Sequence, residues 1–247
     1  LDGVLYDGER AIPGAEETVA WARRQGIPHL FVTNTTSRPR TAIVRKLAAF
    51  GIPASAGDIL TPAVAAAAWL EGQPPGGVAL FAAEALREEF AACDLVEEGA
   101  RYVVIGDLAE AWDYATMNRA FRMLMADPEA RLLALGMTRY WRTETGLSLD
   151  VAPFVVALEH ATGKSAVVLG KPAQAFFLAG AANLGLAPAD LLVVGDDIRA
   201  DIEGAQRAGL RGALVETGKF RAADLHGDVR PDLVLESIAE LPGRWPA

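Results

Sequence analysis

The chain has 247 residues, is 51% hydrophobic and 22% charged, and sets 32 acidic against 23 basic residues for a formal net charge of -9. That composition belongs to a folded globular protein, and its acidic balance argues against a duplex-binding surface, which needs clustered lysine and arginine. The single cysteine, Cys93, excludes an intrachain disulfide framework and a thiolate zinc cluster. No stretch is apolar and charge-free for long enough to span a bilayer as a helix, so a soluble, cytoplasmic protein is expected.

The chain opens with Leu1-Asp2-Gly3-Val4-Leu5-Tyr6-Asp7-Gly8, which reads as the loop leaving a buried strand, so that strand is expected ahead of Leu1. A helix is predicted over 16–24 and a strand over 29–32 that stops at Thr33-Asn34. A second helix is predicted from 37 or 38 to Phe50, with Pro39 near its first turn and Gly51 at its end. An alanine-rich helix starts at Pro62 and runs through Leu70. Gly72-Gln73-Pro74-Pro75-Gly76-Gly77 reads as a linker. Beyond it come strands over 78–81, 102–105 and 132–135, and helices over 83–90, 114–125 and 155–161. A further set follows: a strand over 167–169 before Gly170-Lys171-Pro172, a helix over 173–184, and a strand over 191–194 before Gly195-Asp196-Asp197. A helix over 201–208 and strands over 213–215 and 233–235 complete it. Uniformly apolar strands alternating with helices predict an α/β fold, a parallel sheet covered on both faces.

Four polar clusters follow strands: Leu1-Asp2-Gly3-Val4, Thr33-Asn34, Gly170-Lys171-Pro172, and Gly195-Asp196-Asp197 with Asp201. Taken singly, each reads as an ordinary turn, a helix cap or a solvated lysine. Together they point elsewhere, because the loops after the strands of a parallel sheet meet at one edge. Carboxylates, a lysine and a hydroxyl gathered there are costly unless a cation and an anion complete the set. Carboxylate oxygens without nitrogen or sulfur partners suit magnesium rather than zinc. A lysine, a hydroxyl and backbone amides suit a phosphoryl group. His29, His160 and His226 are far apart and read as structural. No Gly-x-Gly-x-x-Gly follows a strand, which argues against a dinucleotide-binding dehydrogenase.

These motifs resemble those of the haloacid dehalogenase superfamily of phosphatases. The superfamily's first motif, Asp-x-Asp-Gly-(Val/Thr), is matched by Leu1-Asp2-Gly3-Val4 from its second position onward. Val32-Thr33-Asn34 resembles the second motif, Gly170-Lys171-Pro172 the third, and Gly195-Asp196-Asp197-Ile198-Arg199-Ala200-Asp201 the fourth. The segment between the second and third motifs resembles the large α/β cap of the NagD-like subgroup. Within that subgroup the nearer likeness is to phosphatases of phosphoramidates and pyrophosphate. It is carried by Arg139-Tyr140-Trp141-Arg142-Thr143-Glu144-Thr145-Gly146-Leu147, Leu149-Asp150-Val151, Gly204-Ala205-Gln206-Arg207 and Thr217-Gly218-Lys219-Phe220-Arg221.

The resemblance implies a Rossmann-like parallel-sheet core over 1–77 and 165–247 with an α/β cap inserted over 78–164. It implies a magnesium-dependent phosphatase working through an aspartyl-phosphate, whose nucleophilic aspartate would sit one place before Leu1. Asp2 would be the general acid and base and would offer its backbone carbonyl to magnesium. Asp196 would bind the metal, and Asp197 or Asp201 its waters. Thr33 and Asn34 would hold phosphoryl oxygens, and Lys171 would screen nucleophile from substrate. Arg139 and Asp150 belong to the cap and would either line the substrate side or pair with each other at a surface, and Tyr140 and Trp141 would be either substrate contacts or cap core. A homodimer is implied as well, with neither nucleic acid nor membrane as a partner. The same residues would serve a phosphotransferase or mutase, or a non-catalytic phosphometabolite-binding protein if the nucleophile were absent.

Overall fold

A computed structural model describes residues 1–143 and 146–245, the side chains of 141–143 excepted. The chain divides into two compact units, Leu1–Thr33 with Arg40–Leu60 and Lys171–Ala247, and Asn34–Pro39 with Thr61–Gly170.

The first unit is built on short parallel strands. Phe31–Val32 pairs with Ile59–Leu60 in the register Phe31↔Ile59, and Leu192–Gly195, Arg211–Val215 and Leu233–Leu235 lie side by side in that order. Parallel neighbours need a crossover rather than a tight turn. Helix Arg40–Ala49 makes the first crossover, and a π-helical turn, Ile198–Glu203, running into Gly204–Arg207 makes another. Phe31, Ile59, Ala213, Val215 and Leu235 share one buried cluster with Val4, Leu5, Val19, Ile43 and Leu47, so a single core serves both sheets. Helix Ala15–Arg24 joins that core through Val19. Glu16 and Glu17 in its first turn and Arg23 and Arg24 in its last complement its dipole. An apolar cavity of ≈ 440 Å³ lies in this unit, lined by Leu5, Phe31, Val32, Phe177, Val193 and Val194 among others.

The second unit carries a four-stranded parallel sheet in the order Val167–Val168, Arg131–Ala134, Tyr102–Ile105, Val78–Phe81. Helices Tyr114–Ala126 and Val151–Thr162 pack on it through Leu124, Val155 and Leu158. Trp112 stacks on Phe154 with ring centroids 4.6 Å apart and packs, partly buried, against this core. Tyr140–Thr143 and Gly146–Leu149 form an antiparallel hairpin. Glu144 and Thr145 lie outside the described residues, as does the Trp141 side chain.

This unit runs wider than the 78–164 insertion read from the sequence, for two physical reasons. Val167–Val168 pairs with Leu133 and Ala134, which adds the strand before Gly170 to this sheet. Helix Pro62–Glu71, capped by the Thr61 hydroxyl, also belongs here. Its Trp69 packs edge-on against Tyr102, Arg131 lies over the Trp69 ring at 5.0 Å, and the Tyr102 hydroxyl donates to the Pro74 carbonyl at 2.7 Å. The 72–77 stretch is therefore a loop inside the second unit.

Some elements differ from expectation. The 83–90 helix is a 3-10 segment, Glu84–Phe90, and its N-cap residue Ala83 offers no capping side chain. The 201–208 helix is the π turn followed by one short α turn. The 155–161 helix starts four residues earlier, at Val151, because Asp150 caps it there. No helix of the described residues is long and apolar enough to cross a membrane.

Candidate active site

The Leu1 backbone nitrogen donates to the Val32 carbonyl at 3.2 Å, so Asp2 and Thr33 leave neighbouring extended segments at the same edge. Thr33 itself continues the ladder, its amide donating to the Leu60 carbonyl at 3.2 Å. After Asp2 the chain folds back at once. Gly3 has a φ of 75° and its amide donates to the Tyr6 carbonyl at 2.7 Å. Asp2 is exposed, with Oδ1 accepting from the Gly8 amide at 3.4 Å.

Asp196 follows strand Leu192–Gly195 and is buried. A Cβ on Gly3 or on Gly218 would overlap its carboxylate, so the absence of side chains there is what lets two backbone segments close around this acid. Oδ2 accepts from the Lys219 amide at 2.8 Å, which is the one hydrogen bond of this carboxylate among the described residues. Burial holds the Asp196 carboxyl above the usual carboxylate range; Asp201 adds to the rise, against the pull of the Lys219 amide.

Lys171 and Asp201 form a buried ion pair, Nζ to Oδ1 at 2.5 Å, with side chains only 11% and 5% exposed. Asp201 Oδ2 accepts from the Asp197 amide at 3.2 Å. A Cβ on Gly195 would overlap Asp201, so glycine at the strand end admits this carboxylate. Burial alone would raise the Asp201 carboxyl, but the Lys171 ammonium and its hydrogen bond outweigh it and hold it below the usual range. Asp197 is spent differently: Oδ1 caps the π turn, accepting from the Arg199 and Ala200 amides at 3.0 and 2.9 Å.

The first unit thus gathers Asp2, Thr33, Lys171, Asp196, Asp197 and Asp201 at loops that follow its strands or, for Lys171, open its last segment. The apolar cavity is not this site, since Asp2, Lys171 and Asp196 do not line it. Asn34 falls in the second unit, where a Cβ on Gly170 would stand 3.3 Å from its Oδ1. Arg139 and Tyr140 are exposed neighbours in that unit, with the guanidinium 5.8 Å from the ring centroid. Asp150 caps helix Val151–Thr162, accepting from the Val151 amide at 2.8 Å, and burial raises its carboxyl. It meets Arg139 through the backbone, its amide donating to the Arg139 carbonyl at 3.1 Å.

Sequence reasoning passed over Thr217, Gly218 and Lys219 as site residues. The available signal was the one used for the other clusters, a polar run with glycine just past an apolar strand, here Arg211–Val215.

The donors suit a hard cation. Among the described residues no three His, Cys, Asp or Glu side chains converge to hold a metal by themselves. Magnesium needs no such cage, being held by one or two carboxylates and completed by water and phosphate oxygens. Asp196 is a buried carboxylate whose charge is poorly offset, and a cation there would relieve it.

The matches to known proteins fit this geometry. A family model described as haloacid dehalogenase-like hydrolase matches residues 1–96, and one described as HAD-hydrolase-like matches 168–241. Phospholysine phosphohistidine inorganic pyrophosphate phosphatase from Bos taurus is 38% identical over 247 aligned positions, covering 97% of this chain and 90% of the relative. The chain belongs to the haloacid dehalogenase-like hydrolases. Solved structures agree: p-nitrophenyl phosphatase from Archaeoglobus fulgidus superposes with a TM-score of 0.89 at 26% identity, covering 98% of this chain and 96% of its own. NagD from E. coli K-12 shares the fold, with a TM-score of 0.87 at 23% identity over 97% of this chain and 95% of its own. This haloacid dehalogenase-like chain is therefore an α/β enzyme of the phosphatase type, with a parallel-sheet core and an inserted α/β unit.

The Lys171–Asp201 pair sets an acid limit on its stability. Asp201 has a folded-state pKa below its unfolded value, so its contribution is complete above about pH 4 and is lost as pH falls through the folded value. Urea midpoints should therefore fall on the acid side, and Asp201→Asn should flatten that limb. An unchanged acid slope in Asp201→Asn would remove this pair as a source of acid sensitivity.

Proposed function

We propose that the chain is a magnesium-dependent phosphatase for a small phosphorylated compound: a phosphomonoester, a phosphoramidate such as phospholysine or phosphohistidine, or pyrophosphate. The observation that carries this reading is the cluster in which buried Lys171 pairs with Asp201 while the carboxylate of Asp196 is enclosed by Gly3 and Gly218 beside Asp2. The phosphatase relatives support it.

An aspartate preceding Leu1 would attack phosphorus in line as the bond to the leaving group breaks, giving an aspartyl-phosphate. Asp2 would give its proton to the leaving atom. It would then take one from the water that attacks phosphorus and releases inorganic phosphate and the free carboxylate. Thr33 and Asn34, consecutive in the chain, would bind phosphoryl oxygens. Lys171 would lower the repulsion between the anionic nucleophile and the anionic substrate. Magnesium, held by Asp196 and the Asp2 carbonyl, would supply charge neutralisation at the phosphoryl oxygens when bound.

In this reading the first unit carries the chemistry and the second selects the substrate. The test is a panel of p-nitrophenyl phosphate, phosphoramidates, pyrophosphate and sugar phosphates, assayed on protein that carries an aspartate before Leu1. Phosphate release that stops on chelation is expected. Transfer of phosphate to an added sugar would identify a phosphotransferase, and substrate binding without turnover a non-catalytic binding protein.

Arg139→Ala should shift kcat/KM ratios across that panel by about tenfold while changing the rate on the small aryl phosphate far less. Equal loss on every substrate would assign Arg139 to folding of the hairpin region. Asp150→Ala is the poorer probe, since losing a helix cap costs about 1 kcal/mol of stability.

A further inference from the structure

Three consecutive residues past strand Arg211–Val215 touch the acidic cluster in three different ways. The Thr217 hydroxyl donates to the Gly3 carbonyl at 2.5 Å, across 214 positions of sequence. Gly218 takes a φ of 65°, and any Cβ there would overlap the Asp196 carboxylate and the Gly3 backbone. The Lys219 amide donates to Asp196 Oδ2 at 2.8 Å, while its ammonium stands 3.6 Å from Asp197 Oδ2. The strand ladder anchors the turn from behind, through the Glu216 amide donating to the Leu235 carbonyl at 2.9 Å.

We propose that Thr217–Gly218–Lys219 is the positioning element of the acidic site, holding the Asp2–Gly3 loop and the Asp196 carboxylate at one spacing and thereby setting affinity for a divalent cation. The inference rests on the magnesium-phosphatase reading above. A hydrogen bond to a carboxylate is strong and directional, so the Lys219 amide orients the acid through Oδ2. The Thr217 hydroxyl fixes the other side, because the Gly3 carbonyl it holds belongs to the residue next to Asp2. The left-handed conformation at Gly218 lets both bonds form within three residues. None of the three residues needs to touch substrate.

The test is magnesium binding by titration calorimetry, with melting temperature measured on each protein. Thr217→Val removes the hydroxyl at nearly constant volume, and Thr217→Ser keeps it. Loss of an orienting partner typically weakens metal binding by about 10–100-fold. Thr217→Val should show that loss, Thr217→Ser should bind as the parent does, and Gly218→Ala should bind no better than Thr217→Val. Asp196→Asn separates the two ideas. If it binds magnesium as the parent does, the magnesium reading itself fails. If it loses binding while Thr217→Val and Gly218→Ala keep the parent affinity, the positioning role is overturned and the reading stands. A lower melting temperature with unchanged affinity in both turn variants would likewise reduce the turn to a structural element.

Discussion

Asp196→Asn is expected to lower phosphatase turnover by about 10³-fold or more and, in the metal-free protein, to raise the melting temperature. The first half follows from removing the one buried carboxylate suited to hold magnesium, whose electrostatic contribution amounts to several kcal/mol, with each 1.4 kcal/mol worth about tenfold in rate. The second half follows from the sign of the shift at this site. Burial raises the folded-state pKa of Asp196, so the folded state loses stability as pH rises past the unfolded value of about 3.9 and through the folded one. The penalty is complete once the pH lies above the folded-state value. Asparagine removes the charge, yet its side-chain oxygen can still accept from the Lys219 amide. Activity on p-nitrophenyl phosphate and thermal unfolding in a chelator measure the two halves. A variant that keeps near-parental turnover would take Asp196 out of the site. One that loses activity but melts lower would mean the carboxylate stabilises the fold.

Lys171→Ala should lose turnover by about 10²–10³-fold and destabilise the fold by about 3–5 kcal/mol. Sequence alone suggests a lysine that could be deleted with the fold intact, but the buried contact with Asp201 Oδ1 changes that expectation. Removing one partner of such a pair leaves the other charge buried and unpaired. The double variant Lys171→Ala/Asp201→Asn separates the two effects. Neutralising Asp201 should recover most of the stability and none of the activity. Urea unfolding and kinetics on both variants complete the cycle. Recovery of activity in the double variant would show that Lys171 matters only as the partner of Asp201. Parental stability in Lys171→Ala would show that water reaches the pair.

The α/β class was legible because its signal is local. Val78–Phe81, Tyr102–Ile105 and Leu233–Leu235 are uniformly apolar runs with punctuation on both sides, and they are strands with the expected bounds. Ile59–Leu60 went unread because two residues are too few to show a period, and only pairing with Phe31 and Val32 makes them a strand. The start of helix Val151–Thr162 was missed for a different reason. In the sequence Asp150 reads as a charge for substrate or as a surface partner of Arg139, and its cap role shows only once its Oδ1 is seen beside the Val151 amide. At the site, the residue types and their order were visible, and their partners were not. Lys171 with Asp201 spans 30 positions and Thr217 with Gly3 spans 214, and no local pattern encodes a pairing at such separation.

The division of the chain into interleaved stretches has a kinetic consequence. The core of the first unit draws on Val4, Tyr6, Val19 and Phe31 near one end and on Ala213, Leu235 and Leu241 near the other. Nearly all of the second unit lies in the uninterrupted run Thr61–Gly170, between those two groups. On a ribosome adding about 5–20 residues per second, the second unit's sheet is complete in sequence while the first still lacks Ala213, Val215, Leu235, Ile238 and Leu241 of its core. The early apolar segments around Val4 and Phe31 must therefore wait, uncovered, through the synthesis of an entire neighbouring unit. For this chain the hazardous interval is the one before Leu241 emerges, when a holdase would have the most to cover.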